Sequence, residues 1–317
     1  MYNDANINKG ACGRVRLTAE KIEKDFGDKK VLRGVSVLAE GGKAIGVLGR
    51  NGAGKTTLIR IIMGVFPADN GEILIDGRKI NRNDVKFGYL PEERGLYPKK
   101  PILEQLIYFA ALRGMKTQEA KASARRLLER LEMSEYESKK LDTLSKGNQQ
   151  KIQLAASLLC DPDIVILDEP FSGLDPVNAM LLKDIVKDLI NDGKIVMFSS
   201  HQMSYVEEFC NDIAIINRGE IVLSGAIKEI KRNYDRSKII VSGPEPEKIT
   251  EFSRERLPGI ALSAETREGD AAVKLISPDM KNAMISALAA SGIEIDSISV
   301  FEPSLNDIFV EYTEDAI

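Results

Sequence analysis

Nine residues, Gly49-Arg50-Asn51-Gly52-Ala53-Gly54-Lys55-Thr56-Thr57, read G-x-x-x-x-G-K-T, the spacing of a phosphate-binding loop, or Walker A motif. A triphosphate packs several negative charges into a small volume. Holding it takes many backbone N–H groups turned inward at close range. Gly49, Gly52 and Gly54 remove the Cβ atoms that would block that approach, with Asn51 and Ala53 between them. A helix beginning here aims its first N–H groups and its positive dipole end at the phosphates. Lys55 adds a cation at the β/γ-phosphates, and the Thr56 hydroxyl can ligate Mg²⁺.

Two carboxylates and a histidine lie further along. Asp168 closes the apolar run Ile164-Val165-Ile166-Leu167, and Glu169 follows directly. A carboxylate at the C-terminal end of such a strand can hold Mg²⁺ through water, opposite Thr56. A second one is placed to orient or deprotonate an attacking water. An isolated Asp-Glu pair is usually two surface acids; behind four apolar residues and a phosphate loop it reads as Walker B. His201 is the only histidine, and it follows Ser199-Ser200 past another strand. On that side of a sheet it can hydrogen-bond the γ-phosphate or the attacking water. Phe26 suits two roles equally from residues alone: stacking on an adenine ring, or packing in a core.

These groups need a sheet to place them. Ala44–Leu48 and Ile164–Leu167 read as buried parallel strands and Lys194–Ser199 as the next strand, with a helix after the phosphate loop from Thr57 to Met63. Alternating residues over 15–48, with turns at Gly27-Asp28 and Glu40-Gly41-Gly42, predict an antiparallel strand group. Short strands follow at Glu72–Asp76 and Phe87–Leu90. Amphipathic helices are expected over Ile102–Arg113 and Gln118–Met133, the latter with Ala120, Ala124, Leu127 and Leu131 on one face. Helices over Gln149–Leu159 and from Pro176 to Asn191, then a hairpin turned at Arg218-Gly219, complete an α/β unit. From Ser237 a small α+β unit begins, with no Cys, no His and no Gly-rich loop.

The chain has 317 residues and a net charge of −4, which gives no electrostatic case for a nucleic-acid partner. Three widely spaced cysteines, Cys12, Cys160 and Cys210, argue for reduced thiols in the cytosol and against a disulfide framework. No apolar run reaches the roughly 18 residues needed to cross a bilayer. Residues 1–14 are polar and predict a flexible tail.

The ordered set of Gly49–Thr57, Leu144-Ser145-Lys146-Gly147-Asn148, Asp168-Glu169, Ser172-Gly173-Leu174-Asp175 and His201 resembles that of ATP-binding cassette (ABC) ATPases. The second element is similar to the LSGGQ signature and the fourth to the D-loop. The resemblance implies a P-loop NTPase fold with an antiparallel β subdomain and a helical subdomain over about residues 98–160, within a cassette over 15–235. It implies two cassettes facing head to tail, as homodimer or heterodimer. Each ATP then lies between one chain's phosphate loop and the other's Ser145 and Gly147, while Asp175 touches the partner. Glu169 becomes the general base and His201 the γ-phosphate contact, and Phe26 matches the family's adenine-stacking aromatic.

Two departures stand out. LSKGN carries Lys146 for a glycine and Asn148 for a glutamine. In Gly88-Tyr89-Leu90-Pro91-Glu92-Glu93, Glu92 stands where the family has its Q-loop glutamine. A carboxylate can ligate Mg²⁺ but cannot donate to water as an amide does. The Glu-Glu-Arg-Gly-Leu-Tyr pattern, LSKGN and the tail Pro303–Phe309 resemble the ATP-binding subunits of ABC-2 type exporters of sodium efflux and drug resistance. Residues 236–317 then match their accessory C-terminal domain. The resemblance implies an integral membrane permease as partner, Arg94–Tyr97 as the surface meeting it, and a place on the inner face of the cell membrane. A soluble ABC ATPase of translation or DNA maintenance is the alternative. It fits less well, because one Walker A motif is present and a compact helical insert joins Lys55 to Ser145.

Overall fold

A computed structural model describes residues 15–81, 84–93, 95–267 and 269–313; the tail expected at residues 1–14 lies outside these. Two compact units divide the chain. One runs to Ile227 and takes up the chain again from Phe309; the other spans Lys228–Ile308.

The first unit opens with three strands, β1 (Arg16–Phe26), β2 (Lys29–Glu40) and β3 (Lys43–Leu48), then α1 (Lys55–Met63). Strands β4 (Asn70–Ile75), β5 (Arg78–Lys79) and β6 (Phe87–Leu90) follow. A helical layer holds α2 (Ile102–Leu112), α3 (Thr117–Arg130) and α4 (Lys146–Leu158). Then come β7 (Ile164–Asp168), α5 (Pro176–Asn191), β8 (Ile195–Ser199), α6 (Met203–Phe209), β9 (Asp212–Asn217) and β10 (Glu220–Ala226); α7 (Ile227–Asn233) leads into the second unit.

The central sheet has the order β10-β9-β3-β8-β7-β6. β6, β7, β8, β3 and β9 run parallel, and β10 returns antiparallel. Every residue of β7 and β8 is buried, as expected of strands covered on both faces. A second, antiparallel sheet, β2-β1-β4-β5, shows the alternation of a one-sided layer. Leu17, Ala19 and Ile22 of β1 and Leu32, Val35 and Val37 of β2 share a core with α1 and β3.

The structure shifts several expectations. On α3 the buried face includes Ser123 and Leu128, while Leu127 is only partly covered. Ser123 is tolerated there because its hydroxyl donates to the Leu159 carbonyl at 2.7 Å. Helix α4 starts at Lys146, not Gln149, because the Ser145 hydroxyl accepts from the Asn148 N–H at 3.3 Å and caps the first turn. Helices α6 and α7 had no periodic signal long enough to predict.

The second unit contains β11 (Lys238–Ser242), α8 (Pro246–Arg256), β12 (Ala261–Arg267), β13 (Asp270–Leu275), α9 (Lys281–Ala290) and β14 (Ser297–Val300); α10 (Leu305–Thr313) follows. Its antiparallel sheet has the order β12-β13-β11-β14. With the helices placed β-α-β-β-α-β, this is the split βαβ, ferredoxin-like arrangement. Ile239, Val241, Val273, Ile249, Met284 and Leu288 form its core.

Candidate functional site

Strands β3, β7 and β8 end together. Val47 of β3 and Asp168 of β7 both pair with Ser199 of β8. The register therefore brings the phosphate loop, the Asp168-Glu169 pair and the Ser199–His201 segment to one edge of the sheet, where parallel sheets bind ligands. An open cleft of about 760 Å³ lies there. Phe26, Asn51, Gly52, Gly54, Lys55, Thr56, Thr57, Glu92, Asp168, Glu169 and His201 line it, as expected, together with Lys29, Val31 and Ser199. That volume accommodates a nucleotide-sized ligand.

The phosphate loop rests on the β9–β10 hairpin. A Cβ on Gly49 would stand 2.4 Å from the Ile216 carbonyl oxygen, so only glycine fits. Behind the loop, the Gly219 N–H donates to the Ala53 carbonyl at 3.1 Å. Gly219 has φ +84°, and a Cβ there would stand 2.4 Å from the Val31 carbonyl oxygen. Lys55 reaches over the loop and donates to the Gly49 and Arg50 carbonyls at 2.6 and 3.2 Å. Burial draws its ammonium below the ordinary lysine range, while Asp168, Glu169 and Glu92 pull it back up.

Asp168 is buried, which raises its carboxyl above the usual carboxylate range, and Glu92 and Glu169 add to the effect. The Tyr89 hydroxyl donates to Asp168 Oδ2 at 3.4 Å. Burial, with Asp168 beside it, pushes that phenol up to about 12. Glu169 is held from three directions. The Ser200 hydroxyl donates to Oε2 at 2.9 Å, and the His201 N–H donates to Oε1 at 2.7 Å. The His201 ring nitrogen Nδ1 also lies 2.7 Å from Oε1. A carboxylate partner makes Nδ1 the donor, leaving Nε2 for another group. Glu169 itself has φ +49°, an uncommon conformation for a residue with a side chain. Its N–H is tied to the Ser199 carbonyl at 2.8 Å.

Phe26 is 50% exposed and faces the cleft. It is not a core residue, which removes one of its two sequence readings. Phe66 packs edge-on against it at 5.6 Å, and Lys24 Nζ stands 5.6 Å from the ring centroid. Ser145, Gly147 and Asp175 do not line the cleft. They form a second patch, where α4 and α5 start side by side. A Cβ on Gly147 would lie 3.3 Å from Asn178 Nδ2 and 4.0 Å from an Asp175 carboxylate oxygen. Asp175 caps α5, accepting from the Asn178 N–H at 3.0 Å. That bond holds its carboxyl below the usual range.

Sequence reasoning missed Tyr89, Ser200, Gln150 and Gln153. Gln150 Nε2 donates to the Pro170 carbonyl at 3.4 Å, and Gln153 Nε2 to those of Pro91 and Glu93 at 3.1 and 3.0 Å. Two polar residues closing the apolar β8 run, and glutamines one turn apart on α4, were the available signals.

A phosphate loop at the edge of a parallel sheet, an antiparallel β layer and a helical layer led by a capped signature segment define an α/β P-loop NTPase cassette. The comparisons agree. Residues 32–172 match the family described as ABC transporter, and residues 225–313 match the C-terminal domain of DrrA1-3-like ATP-binding proteins. An uncharacterized ABC transporter ATP-binding protein of Bacillus subtilis, YhaQ, is 42% identical over 93% of this chain and 97% of its own. The linearmycin resistance ATP-binding protein LnrL of the same organism is 32% identical, covering 94% and 98%. The dimeric structure of a bacterial ABC transporter cassette superposes with a TM-score of 0.60 at 24% identity, over 67% of this chain and 98% of that one. The chain belongs to the ATP-binding proteins of ABC transporters, and it is an ATP-binding and ATP-hydrolysing transporter subunit.

Proposed function

We propose that this chain drives an exporter of the ABC-2 type by closing on ATP against a second cassette. Residues 15–235 are the cassette and 236–317 the accessory domain. The observation that carries the catalytic assignment is the triple hold on Glu169 by Ser200 and His201, at 2.7 to 2.9 Å, on the edge of the cleft. A base so restrained spends little ordering on each turnover. Glu169 takes a proton from the attacking water. With both ring nitrogens protonated, His201 is held by Glu169 through Nδ1–H and donates Nε2–H to the γ-phosphate. Lys55 and the loop N–H groups of Gly52 to Thr57 hold the phosphates, and Phe26 carries the adenine.

The residues present suit Mg²⁺. Thr56, Asp168 and Glu92 offer hard oxygen atoms along one cleft. The described residues include no cluster of three or more His, Cys, Asp or Glu side chains that holds a metal alone. Mg²⁺ takes one or two protein ligands plus phosphate oxygens. Held by these residues, Mg²⁺ would neutralise charge on the phosphates.

Ser145 and Gly147 stand outside the cleft, which supports their acting on a second chain's ATP. The likeness to a dimeric cassette supports the same assembly. An integral membrane permease is the further partner. Among the described residues no helix is long and apolar enough to cross a membrane. In this reading the permease supplies the spanning part and this chain is peripheral on the inner face. Tyr97 and Tyr108, both about half exposed, cluster with Phe109 next to the Glu92 segment. They offer the permease an aromatic surface; Arg94 lies outside the described residues. The drug-resistance relative supports the export direction.

The test is ATPase activity and dimer formation of the purified chain. Glu169→Gln should form an ATP-dependent dimer by gel filtration, and Ser145→Arg in the same background should abolish it. A monomer under both conditions rules the closure scheme out.

A further inference from the structure

Glu92 sits on a segment tied to the helical layer by two buried glutamines. Gln153 of α4, only 4% exposed, uses its amide to hold the backbone on both sides of Glu92. It donates to the Pro91 carbonyl at 3.1 Å and the Glu93 carbonyl at 3.0 Å. Further on, Gln105 of α2, 3% exposed, accepts from the Tyr97 N–H at 3.1 Å and donates to the Lys100 carbonyl at 3.3 Å. Buried amides are found where their hydrogen bonds are made, and here both are spent on this one segment.

Helix α4 carries more than the Gln153 clamp. Its cap is Ser145, about two turns before Gln153. One turn before Gln153, Gln150 reaches the Pro170 carbonyl, next to Glu169. One rigid helix thus begins at Ser145 and Gly147 and grips the backbone flanking Glu92. We infer that Gln153 is a positioning residue that sets the place of Glu92 in the cleft and makes Glu92 travel with the helix that begins at Ser145. The inference rests on the assignment of Glu92 as a metal-facing carboxylate. Any shift of α4 on meeting a second chain's ATP then moves a carboxylate in this chain's own site. Side chains of the same length that cannot donate should break that link. Gln153→Met keeps length and volume; Gln153→Glu keeps shape but presents only acceptors to two carbonyls.

The experiment uses the full chain with ATP. Gln153→Met is expected to lower kcat about tenfold at saturating MgATP, with KM changed less than about twofold. Gln153→Glu should do the same. In a Glu92→Ala background, Gln153→Met should add no further loss. A readout without turnover is the electron paramagnetic resonance spectrum of Mn²⁺·ATP bound to the chain. The Gln153→Met spectrum should move toward that of Glu92→Ala. An unchanged kcat and spectrum in Gln153→Met overturns the inference, as does an equal loss in the Glu92→Ala background. A parental spectrum for Glu92→Ala itself overturns the metal-facing assignment, and the inference with it. A normal Glu92→Ala effect beside a silent Gln153→Met sinks the Gln153 role alone.

Discussion

Glu169→Gln separates chemistry from binding, because the native contacts leave room for the amide. Gln Oε1 can still accept from the His201 N–H and from Nδ1–H, the two contacts now at 2.7 Å. The new Nε2 replaces Oε2 and donates to the Ser200 hydroxyl, which accepts as readily as it donates. The cost is local: Ser200 already accepts from the Gln202 N–H at 3.1 Å and must turn its own hydrogen elsewhere. One rearranged hydrogen bond costs about 1 kcal/mol of stability. The rate changes far more. Loss of a general base removes about 10²–10⁴-fold, or roughly 3–5 kcal/mol of transition-state stabilisation. ATP affinity should stay within about threefold, since Lys55 and the loop are untouched. Phosphate release by the purified variant, beside nucleotide binding by calorimetry, gives both numbers. Hydrolysis at the parental rate would refute the base assignment; a parallel loss of ATP binding would show that Glu169 holds the site together instead.

Other substitutions probe separate parts. Lys55→Ala should weaken ATP binding by about two orders of magnitude, the scale of a charge-assisted contact to phosphate; calorimetry with unchanged affinity would remove the phosphate-cradle assignment. Phe26→Ala should cost about 1–3 kcal/mol of ATP affinity through lost stacking while inorganic triphosphate binding stays level, and equal losses for both ligands would place the ring elsewhere. Burial pushes the Cys210 thiol well above its ordinary range, so it stays protonated at pH 8. Peptide mapping after iodoacetamide should find it unlabelled in the folded chain and labelled in guanidinium; labelling without denaturant contradicts that burial.

The nucleotide end of the site was legible in sequence because its chemistry is local. Gly49 to Thr57 carries its own turn, helix start and cation within one stretch. The apolar run Ile164–Leu167 announced a buried parallel strand with Asp168 at its end, since continuous runs mark parallel strands. What stayed hidden depended on partners distant along the chain. Ser200 and Glu169 are 31 residues apart, and nothing in either stretch says that one holds the other. Gln153 read as one more polar position on a helix, and only the packing of α4 beside the Pro91 turn shows that it faces inward. Phe26 needed the fold to decide between core and cleft. The second unit was readable as α+β, but its sheet order came from pairings of β11 with β13 and β14, which no local pattern encodes.

The β9–β10 turn looks like an ordinary surface hairpin, the kind of place where a tag or reporter is usually inserted. Here it is a wedge. Gly219 bonds the Ala53 carbonyl from behind, and the Arg33 N–H donates back to Gly219 at 2.8 Å. Widening that turn by even a small insertion lifts the floor from under the phosphate loop. An insertion scan read out by growth or fluorescence should therefore find a hole at Arg218-Gly219, outside every nucleotide motif. A lesion there would disable the transporter as a nucleotide-binding defect while leaving every motif residue in place.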